Sequence, residues 1–372
     1  MRRRCSHRSF LWFAVLLGTG SLPLLFHLED LSSSIQLLNP GVKKLQRNSE
    51  EEDVLDSPAE GDVSSLMFNG SRPPDLGLFQ DSTLVPPVGS EKVLEQQRTT
   101  QRLRRRLLAD ICSKYWPGAW DQLVSKSHMV MVWAEDRSRL LYCEVPKAGC
   151  SNWKRVLMVL AGYADSALDI PHDIAHIHNR LPHLVNFDLD SIMERVNTYT
   201  KVLFVRDPFE RLVSAFRDKF ENPNDYYHRL FGRHIISRYR ANASQSALNT
   251  GDGVTFREFV HYLLDPRRPV GMDSHWTPVS TLCHPCLIHY DFIGKFENMN
   301  SEANFLLRSI GAPPHVTFPD YKDRNPQDER TSSSIMRRYF SLLNATERQR
   351  VYDFYRMDYL MFSYSKPLPH LH

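Results

Sequence analysis

Three things are scarce in this chain of 372 residues, and each scarcity removes a class of function. Net charge is the first: 46 Lys and Arg against 43 Asp and Glu leave a formal +3, too small to argue for nucleic acid. The second is a nucleotide-triphosphate loop, since the G-x-x-x-x-G-K-[ST] spacing does not occur. The third is cysteine. There are six, and the C-x-x-C at Cys283 and Cys286 has no second pair to complete a four-ligand zinc site. No internal repeat is present. What is left is a globular composition, 42% hydrophobic and 24% charged, with room for one large domain or two small ones.

Long uncharged runs are also rare, which makes the one at the N-terminus informative. After the basic "MRRRCSHRS", the stretch Phe10 to Leu28 carries no Asp, Glu, Lys or Arg. A membrane span needs about 20 mostly apolar residues, and arginine on the N-terminal side favours keeping that end cytoplasmic. We therefore expect a cytoplasmic tail at 1–9, a single type II anchor at 10–28 and a luminal remainder. The rival is a cleaved signal peptide, with "GTGSLP" as its small-residue cleavage site. Sequons at Asn69, Asn242 and Asn344 all fall on the luminal side and are candidates for N-glycosylation. Cys112, Cys143, Cys150, Cys283 and Cys286 would then lie in an oxidising compartment, and an odd number leaves at least one without an internal partner.

From Glu29 to Gln101 the chain is rich in acids, Ser, Pro and Gly without a sustained apolar period, as expected of a luminal stem at 29–101. A folded body at 102–372 follows, opening on the helical pattern "QRLRRRLLADICSKY". "RLLYCEV", "KVLFV" and "YDFIGKFENM" are of strand type, and a helical pattern follows each. Alternation of this kind predicts an α/β fold, a mostly parallel sheet flanked by helices. Near the C-terminus Val351, Phe354, Met357 and Met361 recur at helical spacing and read as core.

In such sheets ligands gather where strands end and helices begin. The first junction is "EVPKAGCSNW". Gly149 permits close backbone approach, Ser151 or Asn152 can cap the helix or donate to a ligand, and Lys147 can place an ammonium on the same anion. An ordinary strand-to-helix turn with a surface lysine would look similar. The second junction, "KVLFVRDPFERLVSAFRDKF", sets Arg206 at a strand end, Pro208 at a first helical turn and Ser214 about two turns on. Arginine grips phosphate through two parallel hydrogen bonds. One Arg-Asp turn is commonplace, but two anion-ready loops on neighbouring strands are not.

The pair "PKAGCSN" and "RDPFERLVS" resembles the 5′-phosphosulfate and 3′-phosphate loops of Golgi carbohydrate sulfotransferases. The similarity is to the family of HNK-1, chondroitin, dermatan and N-acetylgalactosamine 4-O-sulfotransferases. It extends over "YCEVPKAGCSNWKRVLMVLAG", "VRDPFERLVSAFRDKF", "HWTPVSTLCHPCLIHYDFIGKFE" and "YDFYRMDYLMFSY", most of the body after Arg137. "EVPKAGCSNWKRVLMVLAG" and "YRANAS" most resemble the enzymes that sulfate terminal N-acetylgalactosamine on N-glycans. The resemblance implies a P-loop-like sulfotransferase fold for 102–372, a Golgi membrane location and 3′-phosphoadenosine 5′-phosphosulfate as donor. Pro146, Lys147, Ala148, Gly149, Cys150, Ser151 and Asn152 would wrap the 5′-phosphosulfate. Arg206, Asp207, Pro208, Phe209, Glu210, Arg211, Leu212, Val213 and Ser214 would form the 3′-phosphate loop. The acceptor would be a glycoprotein or proteoglycan glycan, its N-acetylgalactosamine sulfated at the 4-hydroxyl. A chondroitin or dermatan acceptor is the alternative, and an inactive luminal glycan-binding protein is the reading from another class.

Sulfuryl transfer needs charge stabilisation on the leaving oxygen, expected of Lys147, and a base for the acceptor hydroxyl. "HDIAHIHNRLPH" supplies His172, His176, His178 and His183 between the two loops, where related enzymes carry the base; His176 is the expected base, with His275 in "DSHWTPV" next. No metal is expected, because Lys147, Arg206 and helix amides supply the charge. Cys283 and Cys286 are expected in disulfides reaching Cys143 or Cys112, with Cys150 as the unpaired thiol. A luminal kinase is the remaining rival, disfavoured by the missing triphosphate loop.

Overall fold

Side chains alternate across a short sheet, so every strand feeds two cores at once. The computed structural model describes residues 88–119, 122, 124–320 and 329–372. Its strands are β1 (Val132–Glu135), β2 (Leu140–Cys143), β3 (Thr200–Val205) and β4 (Phe292–Lys295), in the order β1-β2-β3-β4. β1 runs antiparallel to β2, while β2, β3 and β4 are parallel. Register lines up Trp133, Tyr142, Val202 and Phe292 in one row, and Val132, Cys143, Leu203 and Ile293 in the next. Successive rows face opposite sides, as strand geometry requires, and both rows are buried.

Helices cover both faces, which is why these strands read as near-continuous apolar runs. On the Trp133 side, α2 (Cys150–Leu160) and α7 (Met299–Ser309) contribute Trp153, Val156, Phe305 and Leu306. On the other side, α1 (Val88–Tyr115) and α4 (Leu189–Thr198) contribute Leu108, Cys112, Ile192 and Val196. Between α2 and α4 lies the short helix α3 (His172–His176). Gly294 is glycine for a packing reason: a Cβ there would lie 2.1 Å from the Phe204 ring.

A third, aromatic-rich core joins α5 (Pro208–Phe216), α6 (Phe256–Leu264), α8 (Ser333–Phe340) and α9 (Ala345–Met361). Phe209 stacks on Phe340 at 4.0 Å, and Tyr352, Tyr355 and Tyr359 of α9 are buried here with Val351. Phe354 packs partly buried on the same core, while Met357 and Met361 belong to the α1 side.

The α/β expectation and all three expected strands hold. β1 was not anticipated, because "VWAE" leads directly into antiparallel β2 and lacks the following helical pattern that marked the other strands. The stem boundary drawn at 101/102 falls inside α1, which begins at Val88. Gln101, assigned to the stem, is fully buried: its Nε2 donates to the Ile293 carbonyl at 3.1 Å and its Oε1 accepts from the Ile293 amide at 2.9 Å. That side-chain amide satisfies backbone groups on the β4 edge, and Arg104 holds Glu302 of α7 through two bonds of 2.6 and 2.9 Å. Polar contacts, rather than an apolar stripe, dock this part of the helix, so hydrophobic periodicity could not mark its start.

The tail at 1–9, the anchor at 10–28, most of the stem and Asn69 lie outside the described residues. Among the described residues no helix is long and apolar enough to cross a membrane. Asn242 and Asn344 are both exposed, and the Asn344 side chain caps α9.

Candidate active site

The first junction begins where β2 ends at Cys143, tied by a disulfide to Cys283. Glu144 comes next, anchored by Lys154 at 2.7 Å and by the Trp133 indole N–H at 2.8 Å. The fields and bonds of Lys154 outweigh burial, and hold this carboxyl below its ordinary range. Then the backbone turns twice through left-handed space, at Lys147 (φ 69°) and at Gly149 (φ 86°), with Ala148 fully buried between them. The positive φ favours glycine at 149, whereas the Met299 methyl that a Cβ would meet is the end of a flexible side chain that can move aside. α2 starts at once, and its first amides have no acceptor within the helix.

The second junction leans on the first. Asp207 caps α5 by accepting from the Phe209 and Glu210 amides, each at 3.0 Å, and Pro208 occupies the first turn. Burial, with Glu210 and Glu297 nearby, pushes the Asp207 carboxyl up to about 6. Arg206 is buried and donates from Nη1 to the Lys147 carbonyl at 3.3 Å and from Nη2 to the Thr331 carbonyl at 2.7 Å. Glu210 lies 3.6 Å away, and the guanidinium sits 4.4 Å over the Phe296 ring. Its Nε is buried with no partner among the described residues. A buried donor left unmade costs about 1–3 kcal/mol, which a bound anion would offset.

Not every residue of the two stretches offers a side chain to a ligand. Asn152 donates to the Pro319 carbonyl at 3.1 Å and accepts from Arg155 at 2.9 Å, so its amide is committed to the fold. Phe209, Leu212 and Val213 are buried in the aromatic core. Arg211 is 1% exposed and donates to three carbonyls, Pro146 at 2.9 Å, Thr277 at 2.7 Å and Ser274 at 2.8 Å. It is a brace between the lysine turn and the 274–277 segment. Lys147, Arg206, the half-buried Ser214 and the backbone of both turns remain for an anion.

That brace brings in His275. Its Nδ1 donates to Asp273 Oδ1 at 2.6 Å, which leaves Nε2 as the basic nitrogen, and Tyr227 donates to Asp273 Oδ2 at 3.2 Å. Asp358 accepts from the Val279 and Ser280 amides, and Tyr355 donates to the Trp276 carbonyl, so α9 pins the segment from below. Burial lowers the His275 pKa, Asp273 pulls it back up, and the charges of Lys219 and Lys147 lower it further; the net shift is downward. Lys147 itself pairs with Asp218 at 3.1 Å, and burial lowers its pKa.

His176 sits differently. Its Nε2 is 2.8 Å from Ser151 Oγ, its Nδ1 is 3.4 Å from Lys154 Nζ, and its ring stacks on His172 at 4.4 Å. Burial, then the Lys154 and His172 charges, bring its pKa down to about 4. Both imidazole nitrogens are thus engaged beside α2, whereas His275 shares a charged cluster with Lys147. His178 is exposed, and the His183 ring lies tilted against Trp133 with centroids 3.5 Å apart.

Cys283 pairs with Cys143 and Cys286 with Cys112, while Cys150 is a buried free thiol. The C-x-x-C thus ties both β2 and α1 to one segment. Among the described residues there is no cluster of three or more His, Cys, Asp or Glu that could hold a metal ion. Sequence reasoning missed Asp218, Lys219, Tyr227 and Asp273. The D-x-H of "DSHW" was the one signal that could have exposed the dyad.

A model described as "Sulfotransferase family" matches residues 130–365, a span that contains both turns and His275. Carbohydrate sulfotransferase 8 of Mus musculus is 59% identical over 273 residues, 73% of this chain and 66% of that protein. Carbohydrate sulfotransferase 9 of Homo sapiens is 56% identical over 268 residues, 72% and 60% respectively. Carbohydrate sulfotransferase 14 of Homo sapiens is 40% identical over 283 residues, 73% and 70%. The chain thus spans somewhat less than two thirds of the length of the first two. No solved structure matches it.

Proposed function

The chain belongs to the sulfotransferase family, and from that premise we propose that it transfers a sulfuryl group from 3′-phosphoadenosine 5′-phosphosulfate to a carbohydrate hydroxyl. The observation that carries the reading is the coupling of the two turns. Arg206 holds the Lys147 carbonyl while keeping a buried Nε–H with no partner among the described residues, so the brace between the two turns carries an unmet donor. Lys147 and the α2 amides take the 5′-phosphosulfate, Ser151 contributing its backbone while its hydroxyl stays on His176, and Arg206 with Ser214 takes the 3′-phosphate.

His275 is the better base on geometry, ahead of His176. Its Nε2 accepts the proton of the acceptor hydroxyl, whose oxygen then bonds to sulfur as the bond from sulfur to the phosphate oxygen breaks. Asp273 steadies the imidazolium that forms, and Lys147 meets the charge growing on the departing phosphate oxygen. Burial, helped by the charges of Lys219 and Lys147, favours its neutral form, and a neutral imidazole is what a base requires. No step calls for a metal.

For the acceptor we propose the 4-hydroxyl of N-acetylgalactosamine, terminal on N-linked or O-linked glycans, on the strength of the long strings around Lys147 and "YRANAS". We place the enzyme in the Golgi membrane on the 10–28 anchor with its body in the lumen. Side-by-side assay with labelled donor on a terminal N-acetylgalactosamine glycan and on desulfated chondroitin tests this. Label entering the terminal glycan at the 4-position is expected; preference for chondroitin would move the acceptor, and transfer to neither would remove the activity.

A further inference from the structure

In the transfer scheme above Lys219 acts only through its charge on His275, and no atom of the donor is assigned to it. α5 ends at Phe216 and continues into a π turn, Arg217–Glu221. Such turns shift a helix's register and recur at functional sites. Asp218 and Lys219 leave this one side by side. A single oxygen, Asp218 Oδ2, lies 3.1 Å from Lys147 Nζ and 3.1 Å from Lys219 Nζ. Lys219 is only 15% exposed and rests 4.6 Å over the Tyr227 ring, whose hydroxyl is bonded to Asp273.

Two ammoniums therefore share one carboxylate oxygen in a partly buried spot, Lys147 and Lys219 being more shielded than the Asp218 between them. The trio keeps a net positive charge, and each ammonium has three N–H donors to place. Drawing cations out of water without full compensation is costly, so such a cluster calls for a second anion. Its position says which one. Lys147 belongs to the donor turn, while Lys219 rests against the Tyr227–Asp273–His275 group, so the pair spans the gap between donor turn and base.

We propose that Lys147 and Lys219 form a two-ammonium clamp on the transferring sulfuryl group, with Asp218 as its internal counter-ion. This rests on the donor reading above and adds to it. Lys147 serves the bridging oxygen, and Lys219 serves the non-bridging oxygens on the side facing the acceptor. Asp218 keeps the two like charges together before the donor arrives and opposes the donor's negative charge once it is there.

The test compares two nucleotides that differ only in the sulfuryl group. Binding of 3′-phosphoadenosine 5′-phosphosulfate and of adenosine 3′,5′-bisphosphate is measured by calorimetry without acceptor, on the full chain and its variants. Lys219→Met should weaken the sulfated nucleotide about tenfold more than the bisphosphate, the size of a lost hydrogen bond to a charged group. Lys219→Arg should recover most of that difference. Asp218→Asn should tighten the sulfated nucleotide by about threefold or more, by removing a like charge beside it, an outcome that a merely structural carboxylate would not give. Equal losses for the two nucleotides in Lys219→Met, or no loss in either, would overturn the clamp while leaving the donor reading intact. Weaker binding in Asp218→Asn would overturn the counter-ion role. Wild-type chain that binds neither nucleotide would overturn the donor reading, and the clamp with it.

Discussion

The turns we propose for the donor and the cluster we propose for the acceptor are built by different means. On the donor side, two consecutive strand ends supply everything, and the contacts run largely through backbone: Arg206 to the Lys147 carbonyl, Arg211 to the Pro146 carbonyl, Asp207 to two helix amides. On the acceptor side, side chains meet side chains. Asp273, His275, Tyr227 and Lys219 come from two separate segments and join through hydroxyl, carboxylate, imidazole and ammonium groups. A backbone cradle binds what every member of a family must bind. A side-chain cluster can be altered one residue at a time, and that is where acceptor choice can be set.

The largest effect should come from the acceptor side. His275→Ala is expected to lower kcat by about 10²–10⁴, the range of a positioned general base, with the acid limb of the pH–rate profile lost. His176→Ala should cost less than about tenfold by the same measure, since its nitrogens are held by Ser151 and Lys154. The reverse ranking would return the base to His176, and two fully active variants would remove both histidines from the role. Lys147→Ala comes next, at about two to three orders of magnitude in turnover at saturating donor. Near-normal turnover would leave the donor side a binding device only. Arg206→Met should act on binding instead: about ten- to a hundredfold weaker adenosine 3′,5′-bisphosphate, with far-ultraviolet circular dichroism unchanged. Equal binding would mean that its buried Nε–H faces no phosphate.

This asymmetry also explains what could be read in advance. β2, β3 and β4 were legible because each is buried on both faces, so each carries a near-continuous apolar run, with lysine only toward the ends of β3 and β4. Both turns were legible because left-handed backbone and helix capping restrict residue type at fixed spacing: Gly149, Asp207, Pro208. Arg211 was placed among the ligand-binding residues because spacing gives no hint of direction, and the structure turns it inward onto three carbonyls. The His275 cluster stayed hidden for a deeper reason. Asp273 and His275 lie 46 to 56 residues from Tyr227 and Lys219, and the Arg211 brace together with the packing of α9 under the 274–280 segment brings them together. Long-range assembly leaves no local period. α1 was dated too late on the chain because Gln101 and Arg104 dock it by polar contacts.

The smallest effect tests whether His176 is structural, and its sign follows from linkage. Burial lowers the pKa of His176 in the folded chain to about 4, against about 6.5 in the unfolded chain. Above pH 6.5 neither state takes the proton, and the histidine contributes no pH slope. As pH falls from 6.5 toward 4, the unfolded chain binds a proton that the folded chain refuses, so stability declines; below 4 both are protonated and the decline stops. For this partly exposed group, the loss between pH 7 and pH 5 should be about 1–2 kcal/mol. Urea unfolding of the wild type and of His176→Asn at the two pH values measures it, with the variant expected to lose less stability by that amount. Identical slopes would mean that His176 is freely protonated in the folded chain. Its bond to Ser151 would then not keep it neutral, and the division between a structural histidine beside α2 and a working one at 275 would have to be drawn on other grounds.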